Sequence, residues 1–254
     1  MNSRHIALLL AAALASVTPA YPEDIDLYIN PGVSSNSLPN VLFVVDNTAN
    51  WNTAFANEKA ALATIFNDLP TNSDGSAKFN VGLLMMNETG SDDTNIQGGY
   101  VRAALRPMTG DNKTIYAAMI NALDVGKDKG NAGVSGLAMA EAYLYYSGGT
   151  PHAGNGKVKA DFRANNTSGW AGTYSTADIR SSMQAVYNRS GNVLSSKSAT
   201  TYIPPNTSNC LNNYIIYLSN GPAQDSNASS TQASSLLSTA GGDTSQVPVS
   251  PSGS

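Results

Sequence analysis

Residues 41–45 read Val-Leu-Phe-Val-Val, an unbroken apolar run between Pro39 and Asp46. Five such residues bounded by turn formers fit a strand buried on both faces, as in the interior of a parallel sheet. A parallel sheet needs crossover connections that cover its faces, so this run predicts an α/β architecture. The run also delivers Asp46-Asn47-Thr48-Ala49-Asn50 to the carboxyl end of the strand. In open α/β sheets, that end is where ligands bind.

The rest of the chain follows the same rhythm. Trp51, Phe55, Leu62, Ile65, Phe66 and Leu69 recur at helical spacing and stop at Pro70. Residues 79–86 and 100–105 read as two further strands, separated by the acidic loop of Glu88, Asp92 and Asp93. That loop lacks the ligand spacing of a calcium loop and reads as solvated. Asp111 is placed to cap a helix carrying Ile115, Met119 and Leu123. Residues 136–146 form another helix, with Leu137, Ala140 and Leu144 on one face.

Residues 148–171 are rich in Gly, Asn and Lys and read as a long surface insertion. A helix over 176–187 and an irregular stretch with Pro204-Pro205 follow. Residues 214–218, Tyr-Ile-Ile-Tyr-Leu, read as a last buried strand. A short helix near 231–237 precedes a linker-like end. The expected fold is an open, mainly parallel sheet with helices on both faces. The domain spans 41–240 with an insertion at about 148–210. A leader (1–20) and an arm (21–40) precede it, and 241–254 follow as a linker or truncated end.

Charge excludes some functions. The chain carries 14 basic and 18 acidic residues, a net charge of −4, without a basic stripe. Nucleic acid and anionic membrane surfaces are therefore disfavoured partners. Only 13% of residues are charged, against roughly 25% in an average soluble protein. Ser, Thr, Asn and Gly must then cover most of the surface, as suits an exported protein. Arg4 and His5 before the apolar stretch 6–15, with small residues up to Ala20, read as a secretory signal. That stretch is shorter than the ~20 residues of a spanning helix. Cys210, the single cysteine, has no partner within this sequence for a disulfide.

Asp46-x-Thr48-x-Asn50 resembles the metal-ion-dependent adhesion site of von Willebrand factor type A domains, whose usual pattern is Asp-x-Ser-x-Ser. Gly136-Leu137-Ala138-Met139 is similar to the Gly-x-Ala-Leu start of that family's second site helix. Ser219-Asn220-Gly221 stands where the family usually has Thr-Asp-Gly. Residues 39–47, 140–151 and 213–221 look like the N-terminal region of PilC/PilY-type adhesins of the type IV pilus tip.

The resemblance implies an exported pilus assembly and adhesion protein, at the periplasm, outer-membrane surface or pilus tip. It also implies pilus proteins or a surface ligand as partners, and a C-terminal propeller domain beyond this sequence. Its metal residues carry over to Asp46, Thr48, Asn50, Asn131, Ser135 and Asn220, a degenerate set for magnesium or calcium. Oxygen donors of these kinds suit hard cations, although an amide replaces one of the usual aspartates. The competing reading is that Asp46 and Thr48 cap the following helix.

Trp170, in the insertion, is a candidate binding residue. Catalysis is not expected. His152 is the one histidine after the leader and lies far from any Gly-x-Ser-x-Gly elbow. Asp161 and Asp178 lack a spacing that would pair them. A generic exported glycan- or matrix-binding domain is the alternative, and a hydrolase a more distant one.

Overall fold

The computed structural model describes residues 38–48, 53–86, 96–124, 128, 130, 133–157, 159–161, 191–195, 198–205, 212–219, 221–223 and 225–245. All lie within the unit Asn36–Ser254. Four strands form one sheet: β1 (Asn40–Val45), β2 (Asn80–Met86), β3 (Gly99–Pro107) and β4 (Asn213–Leu218), in the order β3-β2-β1-β4. β1 runs parallel to β2 and β4, while β3 returns antiparallel to β2. The helices are α1 (Thr53–Asp68), α2 (Gly110–Ala122), α3 (Ser135–Ser147) and α4 (Asn227–Thr239), with a 3-10 turn at Gly154–Gly156.

The apolar runs of β1 and β2 are almost wholly buried, as two-faced strands should be. Register shows which helix covers which face. Phe43 stacks on Phe66 of α1 at 5.3 Å between ring centres, and Phe66 meets Tyr116 of α2 at 6.0 Å. Val44, one residue on, points to the other face and is level with Leu84. A Cβ on Gly99 would lie 2.9 Å from Leu84 Cδ2 and 3.0 Å from Ala138 Cα. So α3 covers the Val44–Leu84 face, and α1 covers the Phe43 face. Helices thus flank the sheet on both sides. Gly99 carries no side chain because α3 approaches β3 there.

The strands begin on a row of three asparagines that share one register. Asn80 Nδ2 donates to Asn40 Oδ1 at 2.9 Å, and Asn40 Nδ2 donates to Asn213 Oδ1 at 2.8 Å. A fully buried amide such as Asn40 is tolerated because these bonds replace water. Two lysines join α1 to α2. Lys59 of α1 donates to the carbonyls of Asn121 and Leu123 at the end of α2, both at 2.8 Å. Lys113 of α2 donates to Leu69 O, just past α1, at 2.8 Å. Each cation sits where its neighbour's unpaired carbonyls gather.

Several expectations change. The cap of α2 is Thr109, which accepts from Asn112 N, and Asp111 lies exposed in the first turn instead. Ile65 is 46% exposed, on the outer side of α1. α3 buries Leu137, Ala138, Ala140, Glu141, Ala142, Leu144 and Tyr145, a wider face than one stripe. It ends on Gly148 at φ 68, the left-handed cap that glycine adopts without strain.

β4 is the terminal strand and not a buried one. Ile215, Ile216 and Tyr217 are 37%, 40% and 37% exposed. Helix α4 is longer than the short segment expected.

The largest correction concerns the stretch after α3. Its described part, up to Asp161, is not a surface insertion. Pro151, Ala153, Gly154, Gly156, Lys157, Lys159, Ala160 and Asp161 are all buried. Asp161 N donates to Val101 O at 2.7 Å, and Ala104 N donates to Asp161 Oδ2 at 2.6 Å, so this strap closes the outer edge of β3. Glycine allows that close packing: a Cβ on Gly154 would collide with the Tyr202 hydroxyl. Residues 162–190, including the expected helix at 176–187 and Trp170, lie outside the described residues, as do the leader, the arm before residue 38 and Cys210.

Candidate functional site at the carboxyl ends of β1 and β4

From β1 the chain crosses to β2 on one side, while β4 lies on the other. Neighbouring connections therefore diverge at the carboxyl ends of β1 and β4, which opens a crevice there. Asp46 stands at its base. Its N–H extends the ladder by donating to Leu218 O at 2.9 Å, and its Oδ1 accepts from Thr48 N at 3.2 Å. That short-range bond turns the chain sharply away from the sheet. Asp46 is buried and Thr48 half-buried.

Two further turns are tied to this one. Asn47, fully buried, donates through Nδ2 to Asp128 O at 2.7 Å, while Gly130 N donates to Asn47 O at 2.6 Å. The loop ahead of α3 is thereby held against the tip of β1. Ser135, first residue of α3, shares a 2.8 Å hydrogen bond with the Tyr217 hydroxyl of β4. Asp225, beyond β4, accepts from Gly136 N at 3.0 Å and so occupies the N-terminus of α3. A carboxylate there satisfies an unpaired amide and complements the helix dipole. Ser219 folds on itself, its hydroxyl donating to Gly221 O.

Of the residues expected at a metal site, the structure places Asp46, Thr48 and Ser135 on these converging turns. Asn50, Asn131 and Asn220 lie outside the described residues. The oxygens of Asp46 and Ser135 already have hydrogen-bond partners. Among the described residues no cluster of three or more His, Cys, Asp or Glu could hold a metal ion. Glu58 of α1 is the residue that sequence reasoning missed. Burial, and then the charge of Asp46, raise its pKa above the ordinary carboxylate value. A second carboxyl group therefore faces the crevice from the helix side. Only its one-turn offset from Phe55 and Leu62, on the buried side of α1, could have flagged it.

The other polar groups considered in the sequence are engaged elsewhere. Asp161 forms a two-pronged ion pair with Arg106, Oδ2 to Nη1 at 2.5 Å and Oδ1 to Nη2 at 3.0 Å. Tyr116 also accepts from Arg106 Nη1, at 2.8 Å. Lys159 pairs with Asp128 at 2.8 Å, and both are buried. Lys159 thereby fixes the residue whose carbonyl holds Asn47.

Glu141 of α3 accepts three successive strap amides, from His152 at 3.2 Å, Ala153 at 2.9 Å and Gly154 at 3.1 Å, and also the Tyr202 hydroxyl. Burial raises the Glu141 pKa, and these donors oppose the shift without cancelling it. Burial lowers the pKa of His152, against a hydrogen bond to the Gln97 backbone, with the Lys157 charge adding to the fall.

Among the described residues no helix is long and apolar enough to cross a membrane. No protein-family model, curated protein or solved structure matches the chain.

Proposed function

We propose that this chain is an exported binding domain of the von Willebrand factor type A kind, from a PilC/PilY-type pilus-tip protein. It serves type IV pilus assembly and adhesion by contact, not by catalysis. The observation that carries this reading is the meeting of three turns at one crevice: Asp46–Thr48, the loop leading to Ser135, and the end of β4. These are the places where the sequence resembles that family's site. The sheet order, with β4 beside β1, puts them at the position where open α/β sheets take ligands. The ligand is a protein or a surface group that reaches the rim, and pilus proteins are the first candidates.

The metal is the finer part of the proposal. Magnesium or calcium would be held by Asp46 and Thr48, together with Asn50, Asn131 and Asn220. Glu58 adds negative charge nearby. Binding must compete with the hydrogen bond from Thr48 N to Asp46, so affinity in the millimolar range is expected.

Calorimetry with magnesium and with calcium tests the metal. The expected result is heat that disappears in Asp46→Ala. Silence at millimolar ion would leave Asp46 as the residue that shapes the turn, with recognition independent of metal. Deleting the gene tests the broader reading, with loss of surface pili and twitching expected. Unchanged pilus number and motility would move the domain to the alternative class, a generic exported glycan- or matrix-binding module, which a glycan and matrix-protein array would then identify.

A further inference from the structure

β4 has the sequence of an interior strand and the position of an edge strand. Its residues Asn213-Tyr214-Ile215-Ile216-Tyr217-Leu218 carry no charge and no proline. Natural edge strands usually carry a charge, a proline or a bulge that discourages pairing. β3, at the opposite edge, is sealed by the Asp161 strap. β4 pairs only with β1 in the sheet. Asn40 N donates to Asn212 O at 3.0 Å, and Asp46 N donates to Leu218 O at 2.9 Å. The even-numbered residues of β4 therefore face β1, and the N–H and C=O groups of Ile215 and Tyr217 point outward.

We infer that this edge is a self-association surface, on which β4 of a second copy pairs antiparallel about a two-fold axis at Ile216. In that register Ile215 faces Tyr217 of the other copy, so the outward groups of both strands exchange hydrogen bonds. The axis also sets Ile216 opposite Ile216 on the α1 face of the sheet. Ile215 and Tyr217 then meet across the α3 face, so half-exposed apolar side chains on both faces gain cover. The strand is its own complement in polarity, register and lack of charge. Isologous two-fold contact is the commonest closed arrangement for such a surface. The residues of this sequence after the described part of the α4 region carry Pro248 and Pro251 without an apolar run, which suits them poorly to pairing here.

The test is the mass of the 254-residue protein in solution across a concentration series. Amide exchange of Ile215 and Tyr217 is read at a low and a high concentration. A concentration-dependent dimer is expected, with exchange at both amides slowed by about ten-fold or more as it forms. Ile216→Lys sets two like charges face to face and should give a monomer with unchanged circular dichroism. Ile216→Thr, uncharged and equally suited to a strand, should still dimerise.

A monomer at every concentration overturns the inference. Fast edge exchange in that monomer would mean an uncovered edge, and slow exchange an edge covered by the chain itself. A dimer that survives in Ile216→Lys, or an open-ended assembly, overturns it too. Should Ile216→Lys fail to fold, wild-type exchange at the two concentrations decides alone.

Discussion

Glu141 shows how much one side chain can organise. It is fully buried on α3, yet its two oxygens accept three consecutive strap amides and a tyrosine hydroxyl. Every partner is a donor. Replacing one oxygen with an amide sets donor against donor, so Glu141→Gln should cost about 1–3 kcal/mol, read as a lower urea midpoint. The pH dependence has a definite sign. Burial raises the native pKa of Glu141 above 4.5, so between the two values the folded state holds the extra proton. The stability this adds is complete below pH 4.5 and is lost as pH rises through the native pKa. The gap between wild type and Glu141→Gln should therefore be widest in acid and narrow as pH rises. A gap that widens with pH would reverse the assignment. None of this was legible in the sequence, where Glu141 is one polar residue on an apolar helix. Its partners lie 11 to 61 positions away, and only folding shows that they converge.

At the scale of elements, the outcome followed how local each signal was. β1 and β2 were readable because five to seven apolar residues between turn formers admit few other structures. β4 shows the limit of the same signal. Its apolar run predicts a parallel strand, and it is one, but a strand's place within a sheet is not encoded in its own residues. The cap of α2 slipped by two positions for a local reason. Thr109 and Asp111 are both cap formers, and the bond from Asn112 N to Thr109 decided between them. The convergence of Asp46 with the α3 and β4 turns was legible as a pattern, whereas Glu58 was not, because α1 carries other polar residues with the same helical spacing. The lysine exchange between α1 and α2 gives the prediction at this scale. Lys59→Met removes both hydrogen bonds at the end of α2 while keeping the aliphatic stem. It should lower stability by ~0.3–1 kcal/mol, and the difference from wild type should shrink as salt rises. A loss that salt leaves unchanged would point to packing of the stem over Phe55, whose ring centre lies 5.9 Å from the ammonium.

Across the whole molecule, the strap that composition marked as surface joins the two ends of the sheet. At one end Lys159 holds Asp128, and through its carbonyl Asn47 beside the crevice. At the other end Asp161 closes β3 and pairs with Arg106, which is 3% exposed against 0% for Asp161. Burying those charges is costly, and the pair is tolerated because each member satisfies the other and neighbouring groups take up the remaining bonds. Arg106→Met should therefore destabilise by about 3–5 kcal/mol, since it leaves Asp161 charged, buried and without its guanidinium. Adding Asp161→Asn removes that charge, and its carbonyl can still accept from Ala104 N. The double variant should regain more than half of the loss, so the two changes should be strongly non-additive in urea denaturation. Cation binding at the crevice, where calorimetry detects it, should weaken in Arg106→Met only as far as the strap loosens. Restoring the strap with Asp161→Asn should then restore the heat. Additive losses would mean that the strap is held by its backbone bonds to Val101 and Ala104, and that Arg106 contributes little beyond its own packing.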